Sequence, residues 1–421
     1  MVVLRSPKQP QAARSKDWYP YYAGYTQSFA EDVFDTYLSE ATSIVDPWNG
    51  SGTTTAVASA KGLRSDGFDI NPALTIVARA RVTPTSIAES LAPIALEIVD
   101  LAKRVTPRER VFEPLGSWLR KPAVTELRRL QHAIHALTSA DGSLEDELAV
   151  ASSTAASAMP VLSAFFYTAL FAACRDLLKS FRSSNPTWVR TPETHRHRLQ
   201  PSGANIASLF LGRVGYLSSR LLGLTEPIDC HVLTGPARQC LPSAPKYDAC
   251  LSSPPYATRI DYVKSSLPEL AILGLPPSEI EWLRTASTGT PVVRNAATTC
   301  SDLGPEATRL IREVATHPSH GSASYYGPWL RNYLGALDET LGAIDAAVKP
   351  GGAIALVVQD SYYKALKIDL QALVSESLEA RGRRLTHRHD FEVRHSMARM
   401  NSRAREHLRE RQNVESLVVF N

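Results

Sequence analysis

The chain has 421 residues, 44% hydrophobic and 21% charged, with a formal net charge of +4. This is an ordinary globular composition, long enough to bury a large core in one domain with an insertion, or in two domains. The charge tolerates a polyanion without demanding one, and the five cysteines, Cys174, Cys230, Cys240, Cys250 and Cys300, lack the close pairs of zinc sites and redox motifs.

Residues 1–28 carry no charged-then-apolar leader, so a reducing cytoplasm is the expected compartment. Over 18–72 the pattern predicts helix, strand, loop, helix, strand. FAEDVFDTYL has helical spacing, ATSIV reads as a strand, TTAVASAKG as a helix ending near Gly62, and SDGFDI as a second strand. Residues 73–226 read almost wholly as helices, interrupted by the basic loop TWVRTPETHRHRLQ at 187–200. Within them, 148–174 is uncharged and long enough to cross a bilayer, but it is rich in alanine and serine and broken by Pro160. A buried helix pair is the expectation. From Ile228 strands return as HVLTG, YDACL and GAIALVVQD, the last after a VKPGG turn. The alternation predicts an α/β fold with a mostly parallel sheet covered on both faces and a helical insertion.

Two loops carry chemistry. DPWNGSGTT at 46–54 joins a strand to a helix, and Gly50 and Gly52 allow a tight turn and close approach to a ligand. It lacks the Gly-Lys-Ser/Thr of a P-loop, and Thr55 stands where the dinucleotide fingerprint has glycine or alanine, which disfavours nucleoside triphosphates and nicotinamide. Asp69 in GFDINP closes the next strand about twenty residues on, the place from which a carboxylate reaches a ribose diol. An adenosine-type ligand without a phosphate requirement fits, and S-adenosylmethionine is one. The second loop is SSPPYATRIDY, directly after YDACL. Pro254 and Pro255 bring no amide hydrogen, so the strand must stop and leave a rigid polar lip with an exposed-looking Tyr256.

DPWNGSGTT, GFDINP and SSPPY, in that order, resemble the motif set of S-adenosylmethionine-dependent DNA amino-methyltransferases. WYPYYAGYTQSF at 18–29 is similar to the segment that closes over the cofactor's methionine part in that family. The resemblance implies a Rossmann-like methyltransferase sheet, with RLTHRHDFEV and ESLVVF as its closing antiparallel hairpin. It divides the chain into a first catalytic part at 1–75, a helical insertion at 76–226 and a second catalytic part at 227–421. It implies that Tyr25, Asp46, Trp48, Gly50, Gly52, Thr53, Thr54 and Asp69 hold the cofactor. Ser253, Pro254, Pro255 and Tyr256 would form the catalytic loop.

An aromatic amine is a poor nucleophile, so acceptors must hold its hydrogens while its lone pair faces the methyl. The Ser253 hydroxyl and the Pro254 carbonyl are the expected acceptors, with Tyr256 stacked on a base flipped out of the duplex. Serine at the first position resembles enzymes acting on the cytosine 4-amino group, with adenine as the alternative. No Pro-Cys is present, which disfavours carbon-5 methylation of cytosine. One departure is Pro236 in TGPARQC, where an acidic residue is expected; Thr234 is the nearest substitute. An RNA methyltransferase or a non-catalytic nucleic-acid-binding relative also fits these motifs. DNA contacts are expected from Arg190, Arg196 and Arg198, flanked by His195 and His197, or from Arg399 and Arg403 in the basic run 393–411. His387, His389 and His395 lack carboxylate or cysteine companions, so no metal is expected. Partner subunits of a restriction or phage-defence system are expected; a membrane is not.

Overall fold

The computed structural model describes residues 4–8, 18–21, 24–108, 110–139, 153–183, 189–222, 224–293, 303–392 and 413–421. Five parallel strands open the main sheet: β1 (Ser43–Asp46), β2 (Arg64–Asp69), β3 (Cys230–Thr234), β4 (Tyr247–Ser252) and β5 (Val348–Gln359). A small hairpin, β6 (Ser361–Tyr363) and β7 (Leu366–Ile368), follows, and β8 (Leu385–Glu392) with β9 (Val414–Phe420) completes the sheet. The order is β3-β2-β1-β4-β5-β9-β8, with β9 antiparallel to both neighbours. This is the Rossmann-like methyltransferase sheet expected from the motif order.

Side-chain alternation builds the core. In β9, Leu417 and Val419 join Ile44, Leu251 and Val357 under helices α1 (Gln27–Tyr37) and α2 (Thr53–Ala60). Val418 and Phe420 point the other way, toward the helices Gly327–Ala347 and Leu370–Glu379. A one-residue slip of β9 would exchange these faces, so its register is firmly specified.

After β2, α3 (Pro72–Ala80) is capped by Asn71 and buried nearly all round. It packs against Val161–Leu177, part of a helical cluster that includes Leu91–Ala102, Lys121–Thr138 and Gly203–Leu221. The apolar run breaks at Met159–Pro160 into Ser153–Ala158 and Val161–Leu177. Every residue of 163–174 is buried, which explains its hydropathy without a bilayer.

VKPGG is not a turn before β5. The strand starts at Val348, pairs it with Tyr247, and absorbs the glycines through a register shift, with Gly351 at φ +74°.

Candidate active site

The chain runs β1 to β2 to β3 toward one edge, then returns to β4 on the other side of β1. Ligands of open α/β sheets bind beyond the strand ends at such a reversal. Asp46, Asp69 and Ser252 end β1, β2 and β4 respectively, all at the C-terminal end of these parallel strands.

The two sequence motifs meet through hydrogen bonds. Ser252 Oγ donates to Asp46 Oδ1, and Thr54 Oγ1 donates to Asp46 Oδ2 at 2.5 Å. Tyr25 donates its phenol proton to Thr54, and the Trp48 amide donates to Asp46 Oδ1 at 3.1 Å. Asp69 Oδ2 accepts from the Gly50 amide at 2.9 Å, and Oδ1 from the Asn71 amide at 2.8 Å. Thr53 stands apart, its hydroxyl accepting from Arg81 Nη1 at 3.0 Å.

Gly50 lies under the Tyr21 ring; a Cβ there would come within 3.1 Å of it. Tyr19, two residues earlier, hydrogen-bonds Glu269, which also pairs with Arg175. This buried trio fastens 18–21 across the glycine loop. Thr234 ends β3 beside Asp69, and its Oγ1 is buried with no partner among the described residues.

Burial raises the carboxyls of Asp46 and Asp69 to about 6 each, against their hydrogen bonds, and the Asp46 charge adds to the rise at Asp69. The fold thus prefers protonated Asp46. Its stabilising contribution is full below the ordinary value of 3.8 and is lost as pH rises through about 6. Asp46→Asn is therefore expected to raise the urea-unfolding free energy near pH 8 by up to about 3 kcal/mol, a gain that closes by about pH 4. No gain near pH 8 would show that the three donors fully compensate the buried charge.

Across the gap, Ser253 Oγ donates to the Val357 carbonyl at 2.9 Å, leaving its lone pairs to accept. The Pro254 carbonyl accepts no hydrogen bond from the described residues, while the Pro255 carbonyl is held by the Tyr333 hydroxyl at 2.7 Å. Tyr256 is half-buried, not exposed as its setting in the sequence implied. Its phenol donates to Glu415 Oε1 at 2.6 Å, and burial with that carboxylate raises its pKa well above the ordinary value. Glu415 is itself buried and pairs with Lys8 at 3.3 Å, and the Lys8 ammonium lies 5.4 Å from the Tyr256 ring centre. The segment bearing Lys8 is tied to α1 by Arg5, whose Nη2 meets Asp32 Oδ1 at 2.7 Å.

Glu415, Tyr333, Val357, Lys8 and Tyr21 were not predicted as site residues. Two of them carry a sequence signal, Tyr21 within WYPYYAGYTQSF and Glu415 as the one acid in the mostly apolar strand VESLVVF.

The chain is 25% identical over 298 residues to the type II methyltransferase M.BsoBI of Geobacillus stearothermophilus. It is similar to a methyltransferase. The match covers 64% of this chain and 55% of that protein, so the chain spans about half the length of its relative. No family model and no solved structure matches the chain.

The basic loop is held to the helical cluster by Trp118, whose Nε1 donates to the Arg190 carbonyl at 2.9 Å, and by Arg120, which donates to the Arg196 carbonyl at 3.0 Å. Arg190 and Arg196 are exposed and Arg198 half-buried; none has a carboxylate partner among the described residues. Arg399 and Arg403 lie outside the described residues, as does His395. Among the described residues no group of three or more His, Cys, Asp or Glu could hold a metal ion.

Proposed function

We propose that the protein transfers a methyl group from S-adenosylmethionine to the exocyclic amine of a base flipped out of DNA, with the cytosine 4-amino group favoured. The carrying observation is the Ser252–Asp46 hydrogen bond. It couples the glycine loop to the strand end that leads into the SPPY loop, across the sheet reversal, so one end of the sheet can serve donor and acceptor. The similarity to a type II methyltransferase supports this reading.

The residues fit the cofactor. Asp69 offers acceptor capacity for ribose hydroxyls, and the orphaned Thr234 Oγ1 offers a hydrogen-bonding group where Pro236 replaces the family's acid. Two neighbouring carboxyls create a negative field suited to a ligand that carries a sulfonium and an ammonium. When bound, S-adenosylmethionine supplies an electrophilic methyl.

The chain's own residues then orient the amine. Ser253 Oγ and the Pro254 carbonyl accept hydrogen bonds from its two N–H groups, which stabilises the positive charge developing on nitrogen until one of those protons is released to solvent. Tyr333 holds the Pro255 carbonyl and so fixes the lip, while Glu415 orients the Tyr256 ring for stacking. Lys8 must leave that ring before a base arrives. We assign target reading to the helical segment 76–226, with Arg190, Arg196 and Arg198 on phosphates, and place the enzyme beside a restriction or phage-defence nuclease.

The test is transfer from labelled S-adenosylmethionine to DNA and to RNA, followed by nucleoside mass spectrometry. The expected product is N4-methylcytosine in DNA. N6-methyladenine would move the target base, and label confined to RNA, or absent from both, would overturn the proposal.

A further inference from the structure

Three residues past Tyr256 the backbone adopts a conformation that L-residues rarely take: Arg259 has φ +55°. Arginine gains nothing from that region by itself, and such an outlier persists only where its surroundings hold it. Here the turn is braced from both sides. The Thr258 amide donates to the Tyr256 carbonyl at 2.7 Å, and Ser361 Oγ donates to the Ala257 carbonyl at 2.9 Å.

The side chain projects to the surface, where its guanidinium carbon sits 4.6 Å from the centre of the Tyr326 ring and 5.9 Å from that of Tyr325. Both tyrosines belong to a π-helical turn, Ser322–Tyr326, a second local irregularity of a kind that gathers at functional sites. The platform is rigid. Tyr325 donates to the Pro291 carbonyl at 2.7 Å, and Tyr326 packs 4.7 Å from Tyr363, whose hydroxyl meets Ser322 Oγ at 2.6 Å.

What the guanidinium lacks is an acid. Among the described residues it has no carboxylate partner, and the nearest acid along the chain, Asp261, is taken by Arg284 at 2.8 Å. A guanidinium held over an aromatic ring by its charge need not spend its N–H donors on that contact, and their fork matches two oxygens of a phosphate. Three residues of chain reach at most about 10 Å from Tyr256. Phosphates recur about every 3.4 Å along each strand of a duplex axis, so the reach covers the nucleotides flanking an extruded base.

We infer that Arg259, held over the Tyr326 ring with Tyr325 beside it, is a DNA-backbone site that grips a phosphate beside the flipped nucleotide. This rests on the DNA methyl-transfer reading above and adds to it a contact next to the catalytic loop, apart from the basic loop on the helical cluster.

The experiment compares wild type, Arg259→Ala, Arg259→Lys and Tyr326→Leu by DNA affinity across a salt series, with S-adenosylmethionine affinity and thermal melting as controls. Arg259→Ala should weaken binding about tenfold and lower the slope of log K against log salt by about one. Arg259→Lys should keep the slope but not the full affinity, because it loses the planar fork. Tyr326→Leu should reduce affinity with the charge intact. Cofactor affinity should be unchanged in all three. If Arg259→Ala binds DNA with the wild-type slope and affinity, or changes only the melting temperature, the assignment fails while the methyl-transfer reading stands. If wild type neither binds nor methylates DNA, the reading itself fails and takes this inference with it.

Discussion

Ser253→Ala is expected to lower methyl transfer by roughly a hundredfold to a thousandfold, the range for loss of one preorganised polar contact to a developing charge, while S-adenosylmethionine binding is retained. The Ser253 proton is committed to the Val357 carbonyl at 2.9 Å, so in the proposed reaction the hydroxyl can meet the amine only as an acceptor. Its contribution grows as nitrogen becomes positive, so kcat and kcat/KM should fall together, with little change in KM for DNA. The substitution also strips Val357 of a donor, which costs stability but leaves that ratio unmoved. Single-turnover kinetics at saturating DNA decide the matter. A variant that loses affinity but keeps its rate would show Ser253 to be a brace for β5 and nothing more.

Gly52→Val should be the most damaging single change in the glycine loop. Gly52 caps α2 at φ +81°, and a Cβ there would lie 2.7 Å from the Ala78 Cβ and 2.9 Å from its Cα, in α3. The left-handed backbone costs an L-residue about 1–2 kcal/mol, and forcing apart two packed helices adds about 1–3 kcal/mol. A combined loss of roughly 3.5 kcal/mol, divided by an unfolding entropy of about 2.1 cal/mol/K per residue, lowers Tm by about 4 °C. Differential scanning calorimetry measures it directly. Because the strain sits between α2 and α3, cofactor affinity should fall with stability. An unshifted Tm would mean that α3 yields more easily than its burial implies.

The sheet was legible in the sequence because glycines and prolines mark its strand ends. Pro254 follows the last residue of β4, Ser252, by two positions, and the glycines of DPWNGSGTT separate β1 from α2. The closing hairpin was legible through the resemblance, which matched RLTHRHDFEV and ESLVVF to it. The start of β5 could not, because Pro350, Gly351 and Gly352 carry the local signature of a turn. A strand tolerates them where its partner's register also slips.

Within the site, residues close in sequence to a motif could be found, and those that reach it through the fold could not. Asp46 and Thr54 share one loop, but Glu415 is 159 positions from Tyr256 and meets it because β9 inserts next to β5. Tyr333 sits on a helix whose apolar spacing explains it fully as core. Thr53, adjacent to Thr54 and read the same way, turns instead toward Arg81 because successive helical residues point about 100° apart.

Under the proposed reading, the Lys8 ammonium over Tyr256 makes nucleotide entry a competition. The cation lies 5.4 Å from the centre of the ring on which the proposed base would stack, paired with the Glu415 carboxylate. Measured affinity for an extruded nucleotide is then the intrinsic affinity multiplied by the fraction of molecules whose N-terminal arm has swung aside. Salt acts on the two occupants oppositely. It weakens the hold of the protein on a polyanionic strand while also loosening the resident ammonium, so the dependence on ionic strength should be shallower for base capture than for docking of the duplex.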